Sequence, residues 1–186
     1  MRKSEFAEVL ARRLGIRIGR LNSLTQRAAE LRLLPVAIGT SYPQLAPSEL
    51  SRMVICAIVD EGIAAVGDVV AKYGALRCAE INSNLESTLG HTLGRPDRIP
   101  PSHSSLTVYT GGLPSAVLTI ATPDGVREYA FFGSGNVLPG GVERTVKIGG
   151  AALFGIAEEI NGTSPGDVDR LLEGATEMKP AAEAVN

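Results

Sequence analysis

The chain is poor in the residues that carry most metal and redox chemistry: two cysteines and two histidines in 186 residues. Cys56 and Cys78 stand alone in apolar helical patterns, with no CxxC pair and no Cys/His spacing around them. Both are therefore expected to pack as small hydrophobes, and no metal site is expected. His91 and His103 fall in a segment broken by glycine and proline, without a serine or cysteine in a recognisable nucleophile context. No catalytic centre and no cofactor follow from such a set, and the expectation is a protein that is not an enzyme. No apolar run reaches the length of a membrane span, so no membrane partner is expected. The first residues, MRKSEFAEVLARR, place charges where a secretory leader needs an apolar stretch. Cytoplasmic residence is the resulting expectation.

With 44% hydrophobic and 20% charged residues the chain can bury a substantial core. Its net charge of -2 conceals a polarity along the sequence. Residues 1–35 hold eight basic side chains against three acids, and the remainder carries an acidic surplus of seven. Basic charge gathered on one small unit of an acidic protein is the pattern of a unit that meets a polyanion.

That unit reads as two helices joined by a short turn. Phe6, Val9, Leu10 and Leu14 recur at helical spacing behind a possible N-cap at Ser4, and Gly15 ends the run. Leu21, Leu24, Ala28 and Leu31 repeat the period in a second helix that must stop before Pro35. With those four turned inward, the opposite side shows Asn22, Ser23, Gln26 and Arg27, with Arg17 and Arg20 at the helix entry. Asn and Gln suit adenine, and Arg suits guanine or phosphate. Arg12, Arg13 and Lys3, with Arg2, are placed to neutralise phosphates. Glu30 on the same side should repel them.

After Pro35 the stretch VAIGTSYPQLAP is too broken for a helix and long enough for a wing. Helices are then expected from Ser48 to about Gly62, from Ile63 to Tyr73, and from Ala75 to Leu89. Residues 90–105, with two glycines and three prolines, read as a linker. Beyond them the period changes to that of strands in LTVYT, AVLTIA and VREYAFF, the last two joined by a Pro-Asp-Gly turn that predicts a hairpin. A strand over 144–148, a helix over 151–161 and a last helix opening at Ser164-Pro165 complete the pattern. The fold class expected is α+β: a helical, winged-helix-like domain over 1–89 with its helix-turn-helix at 4–34, a linker over 90–105, a small β-hairpin-plus-helix domain over 106–173, and a flexible tail over 174–186.

Ala11, Gly15, Leu21 and Leu24 have the mutual spacing of a DNA-binding helix-turn-helix. Continued through the Leu33-Leu34-Pro35 end and the Glu49-Leu50 start of the next helix, the stretch over residues 4–62 resembles the winged helix-turn-helix of MerR-type regulators, excisionases and some phage small terminase subunits. The resemblance implies a phage or mobile-element transcriptional regulator, with a small terminase subunit as alternative; apart from it, the same helix pair could dock a partner helix, which makes a non-catalytic protein-interaction module a third reading. Unlike those families, Val36 to Pro47 contains no Lys or Arg, so the wing should add little to binding. A single reading head contacts few base pairs, which points to a homo-oligomer on double-stranded DNA. The acidic C-terminal part is expected to serve assembly or a basic protein partner. The loop Gly133–Gly141 lacks the lysine of a phosphate-binding loop and reads as a strand connection. The adjacent pairs Asp60-Glu61 and Glu158-Glu159 are expected to be surface charge.

Overall fold

The helix lengths follow from where the chain can satisfy its free amides. In the computed structural model, which describes residues 1–36, 42–110, 113–133 and 144–177, α1 spans Lys3–Leu14. Ser4 lies inside it. The Glu5 carboxylate accepts the Arg2 amide at 2.7 Å, and this acidic first-turn residue supplies what Ser4 was expected to give. Gly15 closes the helix at φ 67°, the left-handed value only glycine takes without cost. α2 follows at once over Ile18–Glu30. α3, Pro47–Val59, begins with proline at its first position and Glu49 accepting the Ala46 amide at 2.6 Å, so Ser48 is also inside a helix rather than capping it.

α3 is the axis of the molecule. Leu50, Ser51 and every residue from Met53 to Val59 are buried, so it is covered nearly all round. α1, α2, α4 (Val66–Gly74) and α5 (Leu85–Leu93) pack on it. Of the helix expected over 75–89, only the last five residues are helical, as the start of α5. Leu76 and Cys78 point inward with Arg77 exposed between them, a period of two, and the chain makes the strands β1 (Arg77–Cys78) and β2 (Ser83–Asn84) before Asn84 caps α5 through the Ser87 amide at 2.8 Å. β1 is held by pairing to a strand about 50 residues later, information that local periodicity does not carry.

The expected strands appear as β3 (Ser105–Thr110), β4 (Ser115–Thr122), β5 (Gly125–Phe132) and β6 (Arg144–Gly149). β4 and β5 form the hairpin around Pro123-Asp124, with Gly125 at φ 115°. Together with β1 and β2 they make one antiparallel six-stranded sheet in the order β2-β1-β5-β4-β3-β6. Register puts Leu106, Val108, Ala116, Leu118, Phe131 and Ile148 on one face, all buried. α6 (Gly150–Ile160) covers β3 and β6, and α7 (Pro165–Glu177) lies against α6.

The protein is thus mixed α+β. The expected boundary between an N-terminal and a C-terminal domain falls inside a shared core that runs from Phe6 on α1 to Ala157 on α6. Residues 90–105, expected as a linker, finish α5, bury Leu93, Ile99 and Ser104, and seat against Gly150. α7 continues through 174–177, where a tail was expected, and residues 178–186 lie outside the described residues. Of the expected wing, 37–41 lie outside the described residues. Its far end instead runs along the N-terminus, with Leu45 donating to the Met1 carbonyl at 3.0 Å and Gln44 bridged to Arg2. No described helix is long and apolar enough to cross a membrane.

Candidate nucleic-acid interface

Leu21, Leu24, Thr25, Ala28 and Ala29 anchor α2 in the core, so the opposite side projects. Asn22 and Gln26 are exposed there, Ser23 and Arg27 half-buried, and Arg17 exposed at the entry. Leu31, expected on the inner face, is 39% exposed, because α2 ends at Glu30 and the helical period stops applying. Lys3 crosses from α1 to this side and shares with Asn22, Gln26 and Val36 the lining of an open groove of about 370 Å³.

The candidate side chains divide by what already holds them. Asn22, Arg17 and Lys3 have no partner among the described residues. The Ser23 hydroxyl donates to the Gly19 carbonyl at 3.0 Å, one turn back. Glu30 accepts from Gln26 at 3.3 Å and from Arg27 at 3.1 Å, so the acid expected to repel a phosphate also engages two of the expected readers. These are exposed contacts, which a stronger ligand can displace.

Three arginines are fastened internally. Arg20 forms a two-pronged bond with Asp60, its Nε donating at 2.9 Å and the second nitrogen pairing with the other oxygen. Arg12 and Arg13 both engage Glu159 on α6. Arg13 donates to it at 2.6 Å and also to Asp169 on α7 at 2.6 Å. The Arg13 side chain is only 9% exposed. Burial pulls its pKa down, and the hydrogen bonds to Asp169 and Glu159 reverse this and raise it. Arg12 and Arg13, expected at phosphates, are therefore a clamp between α1 and the C-terminal helices. Glu159 and Asp60, expected as surface charge, are their counterparts and Arg20's. Adjacent carboxylates on a helix point about 100° apart, and this is why Glu158 and Glu159 differ: Glu159 is buried toward α1 while Glu158 accepts the Thr163 hydroxyl at 2.6 Å.

Neither a family model nor a curated protein nor a solved structure matches this chain. Sequence reasoning had no signal for Arg144, which comes from β6 and lines a cleft of about 390 Å³ beside Asp60, Leu14 and Ile16. The Arg20 hydrogen bond is the main cause that lowers the Asp60 pKa from its ordinary 3.8, with the charge of Arg144 a smaller one. A carboxyl group whose folded-state pKa is depressed contributes stability above its unfolded value, and that contribution is lost as pH falls through the folded value. Arg20→Met should therefore be less stable than wild type at neutral pH. The gap should hold steady down to about pH 5 and narrow below the ordinary carboxyl range. Urea titrations at stepped pH check this, and a pH-independent gap would assign the loss to packing of the Arg20 stem instead.

Proposed function

We propose that this protein binds duplex DNA through the outward side of α2. The observation that carries the reading is that side's composition on an anchored helix: Asn22 and Gln26 exposed, with Arg17 and Lys3 uncommitted beside them. α2 would enter the major groove with Asn22 and Gln26 at base edges. Arg17, Lys3, Arg2 and Arg27 would hold phosphates. Arg12, Arg13 and Arg20 are left out of the contact set, because breaking their ion pairs would release buried or half-buried carboxylates. The biological setting offered by the winged helix-turn-helix resemblance is a phage or mobile-element regulator, with a small terminase subunit as alternative.

A set of about four phosphate contacts predicts a salt dependence of roughly -3 to -4 log units of affinity per log unit of salt. Gel-shift titration on random duplex and on DNA from the protein's own operon measures it. The double reversal Arg17→Glu with Arg27→Glu should weaken binding by at least about tenfold at low salt, since it replaces two attractions by two repulsions. Unchanged affinity in that variant, or no retardation of DNA by wild type at low salt, removes the proposal.

A second reading is favoured by the groove itself. Thr25, Ala29 and Val36 line it, and Val36 and Tyr42 are 57% and 61% exposed. A partner helix could seat its apolar side there. Such binding would change little with salt, which separates the two readings.

A further inference from the structure

β6 is the last strand of the sheet, and one of its edges is unpaired among the described residues. In an antiparallel ladder alternate residues turn N–H and C=O to the neighbouring strand, and the residues between them turn theirs away. β6 therefore presents main-chain donors and acceptors beyond the sheet, and no described element pairs with them. The cleft of about 390 Å³ beside Asp60 runs along this row. Register places Val146 and Ile148 on the core side with Val108 and Leu106, and Lys147 on the other, yet all three line the cleft. Residues pointing to opposite faces of one strand share a lining only where the cleft follows the strand's edge.

The wall across from β6 is apolar. Leu14 and Ile16 come from the end of α1, and Ala57 and Ile58 from α3. Leu14, Ile16 and Val146 are only partly buried, so apolar surface is left toward the cleft. The strand itself carries cations. Neither Arg144 nor Lys147 has an ion-pair partner among the described residues. Arg20 is the main cause that lowers the Asp60 pKa and already holds both carboxylate oxygens, so Arg144, whose charge adds to the lowering, makes no ion pair there.

We propose that this edge takes up an extended segment of another protein, which adds to the sheet as an antiparallel strand beside β6 and carries apolar and acidic residues in a fixed order. The register of β6 sets that order, because residues opposite one another in a sheet point to the same face. Positions opposite Ile148 and Val146 face the core side and enter the cleft, where apolar side chains cover Leu14, Ile16 and Ala57. The position between them stands opposite Lys147 and takes an acid. The position opposite Arg144 takes a second acid. Read along the added strand, the order is apolar, acid, apolar, any residue, acid. The outward face of the sheet is open among the described residues, with Val126 and Phe132 51% and 57% exposed, so nothing described blocks a side chain set opposite Lys147.

The charges argue against a second copy as the occupant. The β6 sequence, RTVKIG, has no acid, and adding it to itself would gather Arg144 and Lys147 of both copies at one joint. The chain nowhere contains the required order, so the segment belongs to a different protein. The inference is independent of the DNA reading, because the outward side of α2 lines a different groove.

Fluorescence anisotropy of the full chain with a labelled, end-blocked probe peptide, Thr-Ser-Leu-Glu-Val-Thr-Glu-Ser-Thr, tests the proposal. The probe should bind with a dissociation constant on the order of 100 μM, as expected for so short a contact. N-methylation of one alternate set of its amides should abolish binding and of the other set leave it, because only one set faces β6. Lys147→Glu should weaken the probe by about fivefold. A probe with lysine in place of its first glutamate should bind this variant about as tightly as the original probe binds wild type, an outcome that loss of folding cannot mimic. No binding by wild type at millimolar probe, equal effects of the two N-methyl sets, or no recovery in the charge exchange each overturns the proposal. So does a wild type that sediments as a dimer while R144E/K147E is a folded monomer, since the edge would then belong to a second copy.

Discussion

Glu159→Ala should destabilise the protein by about 3 kcal/mol, the low end of what removing one partner of a buried ion pair costs. The side chain is 3% exposed and receives Arg13 at 2.6 Å together with Arg12. Truncation leaves a guanidinium that is 9% exposed without its inner carboxylate, and the uncompensated charge is the larger part of the loss. The loss stays at the low end because Arg13 retains Asp169 and the Pro165 carbonyl at 3.3 Å. Arg12 is 40% exposed, so Arg12→Ala should cost under about 1 kcal/mol. Urea unfolding of the two variants checks the contrast. Equal losses would mean that the pair is held no more tightly than a surface contact. Because α1 forms one half of the helix pair and touches α6 through this clamp, Glu159→Ala should also weaken the proposed DNA binding more than Arg12→Ala does.

The second large effect is expected at Gly150, the first residue of α6. A Cβ built there would lie 2.5 Å from the Pro101 carbonyl oxygen and 2.7 Å from that of Ser104. Both are backbone atoms of the turn over 100–104, whose Ser104 amide donates to the Pro100 carbonyl at 3.0 Å, so neither can move aside as a side-chain end could. Alanine in place of glycine ordinarily favours a helix by up to about 1 kcal/mol. Here the overlap reverses the sign, and Gly150→Ala should lose about 3 kcal/mol and lower Tm by about 6–12 °C. Gly166, in the first turn of α7 with nothing within 4 Å of a built Cβ, is the control. Gly166→Ala should be neutral or gain about 0.5 kcal/mol. Thermal scans of both variants separate the contact from helix propensity.

The two variants bear on features that differ in how far a reader of the sequence could see them. Helix and strand positions were largely legible, because burial of one side leaves a period of 3.6 or 2 in the chain. α1, α2 and β3 to β6 lie close to where those periods predict. Gly15 and the Pro123-Asp124 turn were legible for a different reason, since backbone sterics at glycine and proline are local. The caps at Ser4 and Ser48 were misplaced because an acidic residue three positions beyond the true cap competes for the same amides, and the patterns of hydroxyl and carboxylate overlap there. β1 was missed because a two-residue strand is set by its pairing to β5.

For the candidate interface the division is sharper. The residues on the outward side of α2 follow from angular spacing alone, and Asn22, Gln26 and Arg17 are exposed as that spacing requires. Which of the eight basic side chains stay free does not follow, because an ion pair depends on distance in space and not along the chain. Arg12 and Arg13 meet Glu159 nearly 150 residues away, and Arg20 meets Asp60 at 40. The acidic C-terminal region has found a basic partner within the same chain. By itself the sequence determined an α+β protein with a glycine-turned helix pair and a basic N-terminal part. The tertiary structure alone decided that the pair is built into one core with the sheet, that three of its arginines hold the molecule together, and that one sheet face stays open among the described residues, since each of these depends on which distant side chains the packing brings within a few ångströms.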